Sequence, residues 1–113
     1  MTTHNERDKA ARVLHALAHP VRLGILEVLQ EGEHNVTALY NKIGCTQSMM
    51  SQQLHVLEEQ CIIATRKEGT TKFCRLRNPE VLNMMDCLRS HLYSYLRFRF
   101  QEDIAEEISN GET

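Results

Sequence analysis

The segment from Thr46 to Leu57 constrains the fold most strongly, because its residues separate into two faces of a helix. Met50, Leu54 and Leu57 follow one another at steps of four and three residues, the spacing of an apolar stripe that packs on a core. The opposite face has no Lys, Arg, Asp or Glu before Glu58 and carries short neutral hydrogen-bonding groups, mainly Gln47, Ser48, Ser51, Gln52 and His55. Such groups suit base edges and phosphates in the major groove of DNA, although the pattern also fits a neutral surface helix.

Two helices are predicted near the start of the chain. Residues 5–17 form an amphipathic pattern that the dipeptide His19-Pro20 interrupts. Pro20 suits the first turn of a second helix, because the N–H that proline lacks has no partner there in any case. This second helix is mostly apolar and is expected to run to about Gln30.

A third, short helix is predicted before the segment that begins at Thr46. Either Asn35 or Thr37 could cap its N-terminus, and Gly44 is expected to end it. Thr46 then caps the fourth helix. Two short helices joined by a few residues around a glycine are typical of a helix-turn-helix.

After Gln60 the residue pattern changes from that of a helix to that of β-strands. Residues 62–66 are rich in β-branched side chains, residues 67–70 include Gly69 and predict a turn, and residues 71–77 alternate polar and less polar side chains. This pattern predicts a β-hairpin. The predicted hairpin has one acidic residue, Glu68, and five basic residues, which are Arg66, Lys67, Lys72, Arg75 and Arg77. A basic hairpin that follows a helix-turn-helix is expected to be a wing that contacts the DNA backbone.

A last helix is predicted from Pro79, which suits its first turn. Its apolar residues recur at steps of three and four, as in a coiled-coil seam, at Val81, Met85, Leu88, Leu92 and Tyr95. Aromatic residues crowd near its end in numbers that a small monomer would not bury. We therefore expect a homodimer that uses the first and last helices.

Together these segments predict a mainly α-helical, dimeric winged helix-turn-helix with a small β-hairpin, in the order α-α-α-α-β-β-α. The DNA-binding and dimerisation domain is expected over residues 1–101, and residues 102–113 form an acidic C-terminal tail. The tail holds five acids and no base, so its removal changes the net charge of the remainder from −2 to +3. Because no apolar run suits a membrane span or signal peptide, a cytoplasmic location with reduced cysteines is expected.

The chain also resembles the ArsR/SmtB family of bacterial winged helix repressors over roughly residues 10–92. The resemblance is carried, in the family's order and spacing, by residues 16–26 (Ala-Leu-Ala-His-Pro-Val-Arg-Leu-Gly-Ile-Leu), 46–57, 64–69 and 75–79. It implies a homodimer that binds an imperfect inverted repeat in double-stranded DNA and represses transcription until an effector acts.

The resemblance also implies roles for single residues. Gln47, Ser48, Ser51 and Gln52 match base-reading positions, and Gln53 stands where relatives often have His. In the wing, backbone contacts are implied for Arg66, Lys67, Thr70 and Lys72. Together with Thr46 and His55, these residues form the predicted DNA-binding set.

The family's known metal sites are not matched. Where some relatives have Cys-x-Cys early in the third helix, this chain has Asn35 and Thr37. The four positions of a second site, on the last helix, read Asn78, Glu80, His91 and Ser94. Two possible ligands per half make a poor zinc site, so neither a metal nor a cofactor is predicted.

The four cysteines, Cys45, Cys61, Cys74 and Cys87, leave two interpretations open. Each could be structural, or two of them could act together as a switch for a thiol-reactive species or a metalloid. The pattern of the thiol-sensing relatives is not matched, since the second helix has no Cys and Cys87 lies far from the end of the last helix. A regulator without any effector is also compatible with the sequence.

No catalytic constellation or phosphate-binding loop is present, so the chain is not expected to be an enzyme. The alternative from another class is a winged helix module that binds other proteins and not DNA. The modest net charge and the absence of Lys from the fourth helix favour that alternative. The basic wing and the neutral polar helix face favour DNA binding.

Overall fold

The computed structural model describes residues 3–101, which fall into two compact units. The first unit ends at Leu82 and the second begins at Asn83. This division lies within the last helix, and the single DNA-binding and dimerisation domain over residues 1–101 stays a prediction. The predicted acidic tail, residues 102–113, lies outside the described residues.

Four helices build most of the first unit: α1 (His4–Leu17), α2 (Pro20–Leu29), α3 (Val36–Ile43) and α4 (Gln47–Glu59). The bounds of α1 and α2 lie within one residue of those predicted. Of the two caps considered for α3, the structure has Asn35, whose Oδ1 accepts a hydrogen bond from the Ala38 N–H at 2.7 Å.

Residues at the helix ends explain where α2 and α4 begin and where α3 ends. Pro20 occupies the first turn of α2, and the Nδ1 atom of His19 accepts a hydrogen bond from the Val21 N–H at 3.1 Å. Gly44 ends α3 in the left-handed conformation, with a φ of 80°, which glycine adopts without steric cost. Thr46 begins α4 as its N-cap.

The sheet has three strands, one more than the sequence predicted. The predicted hairpin consists of β2 (Ile63–Glu68) and β3 (Thr71–Leu76), and the additional strand is β1 (His34–Asn35). The order is β1-β3-β2 with antiparallel pairing throughout, so β3 is central. Two residues are too few to produce an alternating pattern, which explains why β1 could not be recognised from the sequence.

The core of the first unit lies where α2, α3 and α4 contact one another and the sheet. Its largest fully buried side chains come from these three helices and from β2 and β3, and they are Ile25, Leu26, Leu39, Met50, Leu57, Ile63 and Cys74. Because the apolar stripe of α4 belongs to this core, the neutral polar face of α4 is directed outward.

The last helix begins as α5 (Pro79–Cys87). A π-helical turn follows at Leu88–Leu92, and the chain is α-helical again from residue 93 to 101. The π-helical turn changes the phase of the side chains, so the predicted seam does not continue as one straight stripe. Val81 and Met85 are buried, whereas Leu92 and Tyr95 are exposed. Among the described helices, none is long and apolar enough to cross a membrane.

The end of α4 contains a strained residue. The Cys61 N–H donates to the Glu58 carbonyl and the Ile62 N–H to the Leu57 carbonyl, both at 3.0 Å, which is the pattern of a Schellman motif. This motif requires a left-handed residue, usually glycine, and here Cys61 has a φ of 58°. The left-handed conformation costs a residue with a Cβ atom about 1–2 kcal/mol.

We therefore predict that Cys61→Gly raises the free energy of unfolding. The gain should be about 0.5–1 kcal/mol, because the greater entropy of unfolded glycine offsets part of the relieved strain. Urea denaturation of reduced protein at a fixed concentration measures it. The matched control is Cys61→Ser, which retains the Cβ atom and should leave stability nearly unchanged. A glycine variant no more stable than the serine variant would contradict the strain at this position.

Candidate nucleic-acid interface

The two faces of α4 lie as the sequence predicted. Met50, Leu54 and Leu57 are buried in the core. All five side chains of the predicted polar face are exposed, namely Gln47, Ser48, Ser51, Gln52 and His55. Because the helix carries no Lys or Arg on this face, it offers neutral donors and acceptors, which distinguish bases through the pattern of their edges.

Thr46 and His55, which belong to the predicted DNA-binding set, each have a partner within the protein. The Thr46 Oγ1 atom accepts a hydrogen bond from the Met49 N–H at 3.1 Å, and this caps the helix. The His55 Nε2 atom lies 3.1 Å from a carboxylate oxygen of Glu59, an ion pair when the histidine is protonated. Thr46 therefore positions the start of the helix, and His55 lies at the exposed edge of its polar face.

A cleft of about 400 Å³ separates the N-terminal half of α4 from the hairpin. Four predicted residues line it together with four others, the complete lining being Val36, Thr37, Tyr40, Gln47, Ser51, Thr70, Thr71 and Lys72. Thr37, Tyr40 and Thr71 were not among the residues predicted to bind DNA. The cleft is polar and contains one cationic side chain, so it suits a phosphate or a sugar edge of nucleic acid.

Arg66 has a different environment from the one predicted for a wing cation. Its guanidinium donates to both carboxylate oxygens of Glu33, at 2.6–3.1 Å, and to Glu68 at 3.0 Å. It also lies 4.3 Å from the centre of the Phe73 ring. These hydrogen bonds raise the pKa of Arg66 and lower that of Glu33. Two carboxylates already offset the charge of Arg66, so the remaining positive charge of the hairpin lies on Lys67, Lys72, Arg75 and Arg77.

Gln53 departs most from its predicted role. Its side chain is buried, with 8% of the residue exposed, because it faces Arg22 and not the solvent. The Gln53 Oε1 atom accepts a hydrogen bond from Arg22 Nη1 at 2.6 Å, and its Nε2 group donates to the Met49 sulfur at 3.2 Å. The prediction that Gln53 contacts DNA is thus corrected to a structural role behind the exposed face.

Arg22 is itself a buried cation, with 9% of the residue exposed. Its remaining donors reach the carbonyls of His15 and Ala16, which lie in the last turn of α1. These carbonyls form the negative end of the α1 helix dipole, which favours a positive charge. Arg22 therefore joins the end of α1 to the buried side of α4.

The four cysteines differ in exposure. All four are free thiols: Cys61 and Cys87 are exposed, Cys45 is half-buried and Cys74 is fully buried in the central strand β3. Burial raises the pKa of the Cys74 thiol to about 11, and the carboxylates of Glu58 and Glu33 act in the same direction. A buried thiol with a raised pKa is a poor nucleophile at neutral pH.

The positions compared with known metal sites do not form a cluster. Both Glu80 and His91 are exposed. Across residues 3–101, no three His, Cys, Asp or Glu side chains come together in a way that could hold a metal ion.

The chain is similar to known helix-turn-helix proteins. A family model described as a helix-turn-helix domain matches residues 17–66. The biofilm growth-associated repressor of Xylella fastidiosa is 38% identical over 81 residues, which span 72% of this chain and 71% of the relative. The transcriptional activator HlyU of Vibrio cholerae is 38% identical over 80 residues, which span 71% of this chain and 74% of the relative.

Solved structures give the same result. The homodimeric winged helix-turn-helix DNA-binding domain of a possible ArsR-family transcriptional regulator from Mycobacterium bovis has a TM-score of 0.75 at 27% identity. The match covers 86% of this chain and 93% of that domain. The described elements therefore have the arrangement of a winged helix-turn-helix, with α3 and α4 as its two helices and β2 and β3 as its wing.

We predict that the thiols differ strongly in reactivity. In folded, reduced protein at pH 8, iodoacetamide should label Cys61 at least tenfold faster than Cys74, because about one Cys74 thiol in a thousand is ionised at that pH. Mass spectrometry of labelled peptides measures both rates. In denaturing urea the two rates should converge. Equal rates in the folded protein would show that Cys74 is accessible and would reopen it as an effector site.

Proposed function

Since the chain belongs to the ArsR/SmtB family of winged helix-turn-helix transcriptional regulators, we propose that this DNA-binding regulator is a homodimeric repressor of an operator with an imperfect inverted repeat. The observation that carries the proposal is the exposed, neutral face of α4 beside a polar cleft and a basic wing. Neutral side chains supply base recognition and the wing lysines supply attraction to phosphate, so one surface provides both requirements of a specific DNA-binding protein.

The proposed contacts follow from exposure. Ser48 and Gln52 lie four residues apart at the centre of the exposed face, so they contact base edges when α4 enters the major groove. Gln47 and Ser51 border the cleft and contact the adjacent bases or backbone. Lys67 and Lys72 contact phosphates from the wing. Gln53 is excluded from these contacts by its burial.

The proposed dimer uses α1 and the last helix. Exposed apolar side chains are found on both, with Leu14 on α1 and, on the last helix, Leu82, Leu92, Tyr95, Phe98 and Phe100. Burial of such groups against a second copy removes apolar area from water. A two-fold dimer presents two copies of α4, which fits an inverted repeat with half-sites about one helical turn apart.

Release from the operator requires only a small change in the spacing of the two α4 helices. If the effector is thiol-reactive, the structure favours Cys61 and Cys87 as its targets, because their thiols are exposed and that of Cys74 is buried. Cys61 lies directly after α4, in the motif that ends the recognition helix.

The central test compares specific with non-specific binding. We predict that Ser48→Ala with Gln52→Ala weakens binding to an operator selected from a random pool at least tenfold, because base contacts of about 1–3 kcal/mol each are lost. Binding to an unrelated duplex should change less than about twofold. Fluorescence anisotropy at one salt concentration measures both, and the unrelated duplex is the control for losses that do not depend on base contacts. Equal losses on the two duplexes would refute the base contacts.

The wing gives a separate prediction about salt. We expect Lys67→Gln to reduce the slope of log affinity against log salt concentration by about one, the value for one lost phosphate contact. Arg66→Gln should reduce the slope less, because Glu33 and Glu68 already bind the guanidinium. Titrations of the same duplex at several salt concentrations measure the slopes. A larger effect of Arg66→Gln than of Lys67→Gln would show that Arg66 leaves its carboxylates to bind DNA.

A further inference from the structure

Met49 differs from its neighbours on the exposed part of α4. It is a large apolar residue, 36% exposed, and it lies one residue from Ser48 and three from Gln52. Residues three apart on a helix are neighbours on its surface, so Met49 borders the two side chains that we place on base edges. It also belongs to the first turn of the helix, since its N–H binds the Thr46 cap.

Met49 is also held in place. The Gln53 Nε2 group donates to the Met49 sulfur at 3.2 Å, and the Gln53 Oε1 atom is held by Arg22 at 2.6 Å. A methionine side chain has three rotatable bonds and is otherwise flexible, so fixing it costs conformational entropy. Because the buried Arg22 and Gln53 already restrict the Met49 side chain in the free protein, less conformational entropy is lost when a ligand binds.

The major groove contains an apolar group that such a side chain can recognise. Thymine presents its C5-methyl group there, and the other three bases have no equivalent. We propose that Met49 is a specificity residue that contacts a thymine methyl in each half-site, and that Gln53, held by Arg22, is its positioning residue. This proposal rests on the proposed function, because it requires α4 to lie in the major groove.

The test removes the methyl group from the DNA. A duplex is first enriched from a random pool by the wild-type protein, and each thymine of one half-site is then replaced in turn by deoxyuridine, which lacks only the C5-methyl. At one position, the wild-type protein should bind the thymine duplex about three- to fivefold more tightly, the factor expected for one methyl group in an apolar contact. For Met49→Ala this ratio should fall to about one.

Two further variants separate contact from positioning. Met49→Leu also loses the contact with Gln53, but leucine is apolar and has fewer rotatable bonds than methionine, so it needs less positioning and should keep a ratio above two. Gln53→Glu keeps an acceptor for Arg22 but loses the N–H that binds the Met49 sulfur, so its ratio should fall below half the wild-type value. Thermal unfolding of each variant, followed by circular dichroism, confirms that the fold is retained.

The possible failures are distinct. If no duplex is enriched, both this proposal and the proposed function are overturned. If the enriched duplex binds but the ratio is near one throughout, or is the same in wild type and Met49→Ala, only the methyl contact is overturned. A leucine variant that behaves like the alanine variant also contradicts an apolar contact. An unchanged ratio in Gln53→Glu removes the positioning role and leaves the contact itself in place.

Discussion

The buried guanidinium of Arg22 is the interaction on which the arrangement of the first unit depends. It binds two carbonyls in the last turn of α1 and the side-chain oxygen of Gln53 on α4. A buried cation costs free energy unless its donors are satisfied, and here neutral acceptors and a helix dipole satisfy them without a carboxylate. A helix proposed for the dimer interface and the helix proposed for DNA recognition thereby contact the same side chain of α2.

The proposed DNA-binding surface assigns base recognition and attraction to phosphate to different elements. In the proposed function, the neutral face of α4 contacts bases, and these contacts depend on the identity of the bases more than on charge. Attraction to phosphate is assigned to the wing, where Glu33 and Glu68 offset the charge of Arg66 while Lys67 remains exposed. A net charge of −2 for the chain is compatible with this arrangement, because the local distribution of charge decides the interaction with phosphate.

Much of this fold could be predicted from periodicity and from residues at helix ends. The apolar stripe of α4, the Thr46 cap and the break at Gly44 are local features, and the structure has each of them. The features that could not be predicted depend on contacts between distant residues: Arg22 and Gln53 are 31 positions apart, and Arg66 and Glu33 are 33 apart. In each contact, a side chain predicted to bind DNA, Gln53 or Arg66, binds another residue of the protein. No local sequence pattern indicates such a contact.

Hydroxyl-radical footprinting of the full chain on its enriched duplex tests the central claim most directly, since it locates the protein on the DNA without any substitution. The claim is that two copies of α4, related by a two-fold axis, bind two half-sites. The account predicts two protected segments, symmetric about the centre of the duplex and separated by about one helical turn, roughly 10 base pairs, or a multiple of it. A single protected segment, or uniform protection along the duplex, would contradict it.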